Sequence, residues 1–343
     1  MTVLVTGGAG YIGGHMVLAL LDAGEKVVVL DDLSTGFRAA VKHPAKLVVG
    51  DVGDAALVDD ILAAHKIDAI AHFAAKIVVP ESIGDPLRYY LTNAAKARTL
   101  LECAVRGKIK HFIFSSTAAV YGDPPVNPVD ETVPLAPINP SGRSKLMTEW
   151  MLEDAAKADD LKFAILRYFN VAGADPNGRV GQSTPQATHL IKVAVQAALG
   201  LRPYLEVFGT DYPTRDGTCI RDYIQVSDLV AAHLLALAYL RKGGESLICN
   251  SGYGHGVSVF EVVDAVKQVS GADFKVRISG RRPGDPASLV ACAKRIKAVL
   301  GWKPRYDDLP TIVGQALDWE RRLRDKSVTG EPAGAHSLAC DAV

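Results

Sequence analysis

Hydroxyl and amine side chains that could exchange protons with a polar ligand are concentrated in two segments of this 343-residue chain. The first is Ser115-Ser116-Thr117, which follows an apolar run, and the second places Ser141 four residues before Lys145. Positions i and i+4 of a helix share a face, so a helix here would present a hydroxyl and an amine together. Taken alone, the first segment fits better with the polar end of a strand, and Lys145 with a solvated helix lysine.

A glycine-rich turn indicates a second kind of chemistry. Gly7, Gly10 and Gly13 lie between an apolar run and the start of a helical pattern. Glycine permits a tight turn and leaves main-chain N–H groups at a helix N-terminus free to bind a pyrophosphate. About 18 residues later Asp31 and Asp32 end the second apolar run, where a carboxylate can bind a ribose diol and repel a 2'-phosphate. We therefore predict a dinucleotide site that takes NAD rather than NADP.

The elements that would position these groups alternate along the first half of the chain. Apolar runs rich in β-branched and aromatic residues lie at 3–5, 27–30, 47–49, 69–71, 112–114 and 163–166, with helical patterns at 11–23, 55–65 and 86–106. The runs are apolar throughout, as expected for parallel strands covered by helices on both faces. We predict an α/β fold: a doubly wound, Rossmann-type parallel sheet with a smaller α/β C-terminal lobe that binds substrate.

The composition changes after about residue 170, where Gly, Pro and Asn become frequent. We predict a cofactor-binding domain formed by residues 1–170 and about 220–250, and a substrate-binding lobe formed by about 171–219 and 251–325. Helices are predicted at 187–199 and 228–240. Residues 326–343 are small and polar without a period and are predicted to be a disordered tail.

Charge and composition exclude several classes of protein. The 38 Lys+Arg balance 38 Asp+Glu, which argues against nucleic acid as a partner. Apolar runs fall short of the roughly 20 residues of a membrane span, and the N-terminus has no signal-peptide pattern. The five cysteines are widely spaced and form no C-x-x-C pair, so neither a metal site nor a disulfide framework is predicted. We expect a cytoplasmic protein.

Together these motifs resemble the UDP-glucose 4-epimerase family of the extended short-chain dehydrogenase/reductases. The resemblance covers roughly residues 2–325 and is also carried by His72-Phe73-Ala74-Ala75, Arg167-Tyr168-Phe169-Asn170, Asp211-Tyr212-Pro213-Thr214, Arg221-Asp222-Tyr223-Ile224 and Arg281-Arg282-Pro283-Gly284-Asp285. It implies an NAD-dependent isomerase that inverts C4 of UDP-galactose and UDP-glucose through a transient 4-keto sugar. It also implies a homodimer, with 86–106 and 142–157 as candidate contact helices.

The resemblance also assigns residues to the two ligands. Those implied to contact NAD are Gly7, Gly10, Tyr11, Ile12, Gly13, Asp31, Asp32, Asp51, Val52, Phe73, Ala74, Ala75, Asn93, Lys145 and Phe169. Those implied to contact the UDP-sugar are Thr117, Asn170, His189, Leu190, Phe208, Arg221, Arg282, Asp285 and Leu289. Taken alone, Asp51 could instead be the N-cap of the helix that follows, and Asn93 a helix-surface amide.

One departure from the family concerns catalysis. The family has Tyr-x-x-x-Lys, whose tyrosine takes the proton of the sugar 4-hydroxyl, whereas this chain has Ser141 and retains Lys145. A serine hydroxyl is shorter and far less acidic than a phenol, and loss of a general base costs about 10²- to 10⁴-fold in rate. With Ser141, Lys145 and Thr117 as its catalytic residues, we predict a strongly impaired enzyme, suited to trapping a substrate complex.

Two other functions stay open. A non-catalytic relative that binds NAD and a nucleotide sugar would also fit Ser141. The second open function is another nucleotide-sugar-modifying enzyme of the same fold. If that enzyme were a dehydratase, it would need a Glu beside the hydroxyl segment, and Thr117-Ala118-Ala119 contains none.

Overall fold

The computed structural model describes residues 1–184 and 187–328, with side chains as far as residue 325. Its strands are β1 (Thr2–Thr6), β2 (Lys26–Asp31), β3 (Lys46–Val49), β4 (Ala69–His72), β5 (His111–Ser115), β6 (Lys162–Tyr168), β7 (Asn170–Ala172), β8 (Leu205–Phe208), β9 (Ile220–Arg221), β10 (Tyr223–Gln225), β11 (Leu247–Ser251), β12 (Val257–Ser258), β13 (Val276–Ser279) and β14 (Ser288–Leu289). Its helices are α1 (Tyr11–Asp22), α2 (Ala55–His65), α3 (Val79–Gly84), α4 (Pro86–Tyr89), α5 (Lys96–Arg106), α6 (Pro140–Ala158), α7 (Leu190–Ala198), α8 (Val226–Arg241), α9 (Val259–Ser270), α10 (Lys294–Leu300) and α11 (Leu309–Val328). A π-helical segment, Tyr90–Ala95, joins α4 to α5, and 3-10 turns lie at Arg38–Ala40 and Ala118–Tyr121.

A parallel sheet forms the centre of the molecule, with strands in the order β11, β6, β5, β4, β1, β2 and β3. In its middle, Val5 of β1 pairs with Val29 of β2 on one side and Ala71 of β4 on the other. The direction of strand addition therefore reverses next to β1, which opens a crevice at the carboxyl ends of the strands. The predicted doubly wound α/β fold is confirmed.

Apolar clusters cover both faces of this sheet. Val3 and Val5 belong to the cluster that contains Met16 of α1, whereas Leu4 between them belongs to the cluster that contains Leu100 of α5. Alternate side chains of a strand point to opposite faces, so all of these positions are buried. This is why the strands are apolar throughout rather than alternating.

The helical segment predicted at 86–106 is interrupted. Pro86 begins α4, where its fixed φ suits the first helical position, and Asp85 accepts a hydrogen bond from the main-chain nitrogen of Arg88 at 3.3 Å. The π-helical segment Tyr90–Ala95 then changes the helical phase before α5. Its inward-facing residue is Asn93, which is 2% exposed.

The C-terminal part of the chain forms the smaller α/β lobe. Strand β8 pairs with β13, and β9 lies between β12 and β14. Helices α7, α9 and α11 pack against one another, and their apolar side chains continue the cluster on one face of the main sheet. Helix α7 begins at Leu190, three residues later than predicted, whereas α8 extends beyond the predicted 228–240 at both ends.

The predicted tail at 326–343 lies mostly outside the described residues, although α11 continues to Val328. Cys340 also lies outside them, and the other four cysteines are free thiols. No helix in the described ranges is long and apolar enough to cross a membrane, and the cytoplasmic location stays a prediction.

Candidate active site

The glycine turn between β1 and α1 forms a cradle with no room for side chains. Gly7 has a φ of 71°, and a Cβ on it would lie 2.6 Å from the main-chain nitrogen of Ala74. A Cβ on Gly13 would lie 2.1 Å from the carbonyl oxygen of Gly7. The N-cap of α1 is Gly10, so no side chain occupies the first N–H groups of the helix. The cradle therefore fits the pyrophosphate of a dinucleotide.

Asp31 lies at the end of β2 and is 7% exposed. It accepts hydrogen bonds from the main-chain nitrogens of Ala9, at 2.9 Å, and Leu33, at 2.8 Å. Burial raises the pKa of Asp31, while these two N–H groups act in the opposite direction. The neighbouring Asp32 is more exposed and accepts from Ser34. The carboxylate of Asp31 retains acceptor positions for a ribose diol.

Asp51 follows β3 and forms an ion pair with Lys96 of α5. Burial acts to raise the pKa of Asp51, but hydrogen bonds from Lys96 and from the main-chain nitrogen of Gly53 outweigh it and the pKa is lowered. The N-cap of α2 is Asp54, so the alternative of Asp51 as that cap is wrong. Val52, beside it, is buried.

Asn93 is not a surface amide. Its Oδ1 accepts from the main-chain nitrogen of Lys76 at 2.8 Å, and its Nδ2 donates to the carbonyl oxygen of Lys76 at 2.9 Å and to Oγ of Ser144 at 3.0 Å. Asn93 therefore ties α6 to the segment that follows Phe73-Ala74-Ala75. The ring centre of Phe73, which precedes Lys76 in the chain, lies 5.0 Å from that of His233.

Helix α6 begins directly against the turn that follows Thr117. Asn139 caps it by accepting from the main-chain nitrogen of Gly142 at 2.9 Å. A Cβ on Gly142 would lie 2.5 Å from the carbonyl oxygen of Ala119, so only glycine permits this approach. The hydroxyl of Thr117 accepts from the main-chain nitrogen of Ala119 at 3.1 Å, which orders the turn.

Ser141 and Lys145 lie on the same face of α6, as their spacing predicts. That face is buried, so the alternative of Lys145 as a solvated helix lysine is wrong. The amine of Lys145 donates to the carbonyl oxygen of Ser115 at 2.8 Å and lies 4.8 Å from the ring centre of Phe114. Burial lowers the pKa of Lys145 to about 7, although the carboxylate of Glu149 acts to raise it. The Ser141 hydroxyl has no hydrogen-bond partner among the described residues, and the residue as a whole is 6% exposed.

The sequence patterns do not single out the buried ion pair behind this helix. Glu149 accepts three hydrogen bonds from the guanidinium of Arg167, the shortest at 2.6 Å, and another from the Ser116 hydroxyl. Both charged side chains are almost completely buried. The signal that could have found Glu149 is its spacing of four residues from Lys145 on the same helix face.

Two tyrosines lie near this network. The hydroxyl of Tyr168 accepts from Oγ of Ser115 at 2.8 Å, and that of Tyr121 donates to Oδ1 of Asn250 at 2.7 Å. Burial raises the pKa of both tyrosines. Each therefore keeps its proton near neutral pH and is unsuited to act as a base.

Four of the predicted ligand residues line one small pocket. They are Tyr11, Asn170, His189 and Leu190. The hydroxyl of Tyr11 donates to the carbonyl oxygen of Gly173 at 2.7 Å. Burial, assisted by the charge of Lys192, lowers the pKa of His189. The cavity thus joins a residue assigned to the cofactor with three assigned to the substrate.

A second group of predicted substrate residues converges in the lobe. The guanidinium of Arg282 lies 4.7 Å from the ring centre of Phe208, and its Nε donates to Asp285 at 2.9 Å. Arg221 lies 3.9 Å from the same carboxylate and pairs in register with Leu289. Two cations around one carboxylate leave one positive charge, which suits a diphosphate.

An apolar cluster connects the lobe to the catalytic helix. It contains Leu289 of β14, Phe169, Ala118 of the 3-10 turn and Leu146 of α6. The structure therefore brings Leu289 and Phe169 to the same side of the crevice as Thr117 and Lys145.

Comparison with known proteins gives one consistent assignment. The family described as "NAD dependent epimerase/dehydratase family" matches residues 3–252. The chain is 58% identical over 337 residues to a UDP-glucose 4-epimerase of Azospirillum brasilense, covering 98% of this chain and 97% of that protein. A solved UDP-glucose 4-epimerase from Brucella ovis in complex with NAD is 42% identical, with a TM-score of 0.89 and coverage of 92% of this chain and 97% of that one. The epimerase from Bifidobacterium longum in complex with NAD⁺ and UDP is 35% identical, with a TM-score of 0.90 and coverage of 95% and 99%.

Proposed function

Because the chain belongs to the UDP-glucose 4-epimerase family of NAD-dependent enzymes, we propose that it binds NAD and a UDP-sugar in one crevice and acts on C4 of UDP-galactose and UDP-glucose. The observation that carries this proposal is the position of α6. This helix presents Ser141 and Lys145 at the carboxyl end of β5, beside the turn that begins at Thr117.

The residues at the glycine cradle fit NAD. Gly7, Gly10 and Gly13 leave the N-terminus of α1 open to the pyrophosphate, and Asp31 accepts from the adenosine ribose. Lys145 uses one N–H group on Ser115 and directs the others to the nicotinamide ribose. When bound, NAD supplies the reversible oxidation of the sugar carbon.

The UDP moiety is held by the lobe. Arg221 and Arg282 bind the diphosphate, and Asp285 accepts from the uridine ribose. Arg282 covers Phe208 in this structure, so that ring stacks on uracil once the guanidinium turns to the phosphates. Asn170 and the segment His189-Leu190 complete this side of the crevice.

Proton transfer is the impaired step. The Thr117 hydroxyl hydrogen-bonds the sugar, but Ser141 stands where the family has the tyrosine base. A serine hydroxyl neither ionises near neutral pH nor reaches as far as a phenol, so turnover is reduced about 10²- to 10⁴-fold. The residual activity is carried by Thr117, or by a water that Lys145 holds in the space the phenol would fill.

The test compares interconversion of UDP-galactose and UDP-glucose by the chain and by Ser141→Tyr. We expect the tyrosine variant to be faster by about 10²- to 10⁴-fold. Ser141→Phe is the matched control, because it restores the ring without the hydroxyl and should show no gain. A tyrosine variant that binds NAD and UDP-sugar without inverting C4 would refute the epimerase proposal and favour the non-catalytic relative. Rapid turnover by the unmodified chain would contradict the impairment.

We also propose a homodimer. Its support is an apolar surface on neighbouring helical segments: Leu87 is 77% exposed, Leu91 55%, and Trp150 on α6 54%. Helix α4, which carries Leu87, and the π-helical segment, which carries Leu91, both pack against α6. The three side chains therefore lie on adjacent elements. Exposed apolar surface of this kind is typical of protein–protein contacts.

A further inference from the structure

A buried chain of polar groups leads away from the catalytic helix. Arg167, already paired with Glu149 of α6, donates from Nη1 to the hydroxyl of Tyr121 at 3.1 Å. That hydroxyl donates in turn to Oδ1 of Asn250 at 2.7 Å. Tyr121 is 1% exposed and Asn250 is fully buried, so water cannot substitute for these bonds.

The segment 123–138, which we call the strap, carries this connection into the lobe. Nδ2 of Asn250 donates to the carbonyl oxygen of Val129 at 2.9 Å. The main-chain nitrogen of Val129 donates to Val290 at 2.8 Å, and that of Cys292 donates back to Val129 at 2.7 Å. The strap is therefore paired with the residues that directly follow β14.

The two ends of this connection lie at the substrate side of the crevice. Tyr121 is the last residue of the 3-10 turn whose N-cap is Thr117. At the other end, Leu289 of β14 packs in the same apolar cluster as Ala118 of that turn. Buried hydrogen bonds from Tyr121 to Asn250, and from Asn250 to Val129 of the strap, therefore connect the turn that begins at Thr117 to the strand that carries Leu289.

We propose that Tyr121 is a positioning residue that holds the turn carrying Thr117 in register with the strand carrying Leu289. The inference rests on the proposed function, in which Thr117 hydrogen-bonds the sugar, and on the contact with the UDP-sugar that the family resemblance implies for Leu289. Burial raises the pKa of Tyr121, so its hydroxyl keeps the proton that it donates to Asn250. Tyr121→Phe removes the acceptor of Arg167 and the donor of Asn250 together, and the turn and strand lose their common anchor.

A loosened connection has a specific consequence for the reaction. With NAD bound, the sugar carbon would give up a hydride, which is one proton with two electrons, and the hydroxyl proton would pass to the base. The keto sugar must stay bound until it is reduced again. If the keto sugar escapes, NADH stays on the enzyme and turnover stops. A variant that is only less stable should accumulate no NADH.

The experiment uses the NAD-bound Ser141→Tyr enzyme as parent and adds Tyr121→Phe. We expect kcat for UDP-galactose to fall about 10-fold, with NAD content unchanged and NADH fluorescence rising during turnover. Tyr204→Phe is the matched control. Tyr204 precedes β8 and accepts a hydrogen bond from Arg277 of β13. Among the described residues its hydroxyl has no hydrogen bond with the strap, so its removal should change neither readout.

A second variant tests the far end of the connection on an exposed side chain. Asn127 of the strap donates to the carbonyl oxygen of Ser288 at 3.0 Å and accepts from the main-chain nitrogen of Val290 at 2.9 Å. Asn127→Ala should also increase the fraction of enzyme that retains NADH. If Tyr121→Phe loses NAD, the result for Asn127→Ala tests the inference instead. Unchanged kcat and NADH in these variants, or lower stability without NADH retention, overturns the inference. A parent that fails to invert C4 instead overturns the proposed function.

Discussion

The side-chain nitrogen of Lys145 donates a hydrogen bond of 2.8 Å to the main-chain carbonyl oxygen of Ser115, within the core between α6 and β5. Because Ser115 is the last residue of β5, this bond anchors the amine at the edge of the sheet where ligands bind. The anchor does not involve Ser141. The position of the amine is therefore independent of the Ser141 side chain.

The buried lysine should make stability depend on pH. Burial lowers the pKa of Lys145 from 10.5 to about 7, so between these values the unfolded chain binds more protons than the folded one. The free energy of unfolding should therefore rise with pH between about 7 and 10.5. Below that range Lys145 is protonated in both states, so its contribution to the free energy of unfolding should not change with pH. Lys145→Met should lack this part of the rise, measured by urea unfolding at about pH 6 and about pH 9. Lys26→Met, on an exposed strand end, should keep the full rise, and equal slopes in both variants would contradict the assignment.

The ion pair between Glu149 and Arg167 should contribute strongly to folding. Glu149→Gln leaves a guanidinium that is nearly inaccessible to water without its counter-charge, which costs about 3–5 kcal/mol. The measurement is the free energy of unfolding in denaturant. Glu102→Gln breaks an exposed helix-surface pair with Arg98 by the same chemical change and should cost far less. Similar losses in the two variants would show that the buried pair has no special role.

The glycine cradle should tolerate a methyl group at one position and not at the next. Gly13→Ala places a Cβ 2.1 Å from the carbonyl oxygen of Gly7, so the turn must open and NAD affinity should fall at least about 10-fold. Gly14→Ala is the control, because its Cβ would meet the nearest atom, on Val180, at 3.4 Å. Binding is measured by titration of NAD after removal of the resident cofactor. Equal affinity in the two variants would place the pyrophosphate elsewhere.

The apolar surface on α6 should hold the homodimer together. Trp150→Lys introduces a charge into that surface and should shift the protein from dimer to monomer in light scattering coupled to size exclusion. Ile278→Lys, at a side chain that is 50% exposed in the lobe, should leave the dimer unchanged. A parent protein that is already monomeric would refute the proposed homodimer.

The sheet and the glycine cradle could be predicted because their signals are local. Apolar runs of three or four residues and glycines at 7, 10 and 13 each act on neighbours in the chain. The π-helical segment could not be read in this way. Its effect is to bury Asn93 against Lys76 and Ser144, and neither contact leaves a periodic signal in the helix itself.

By itself, the sequence determined the order of the main-sheet elements, the family and the spacing of Ser141 from Lys145, because all of these depend on residue types and short spacings. Only the tertiary structure decided the environment of the remaining groups. The pKa of Lys145, the pairing of Glu149 with Arg167 and the link from Tyr121 to Asn250 all arise where distant segments pack together. Burial and charge act through space, so a hydroxyl or an amine acquires its chemistry from neighbours that are distant in the chain.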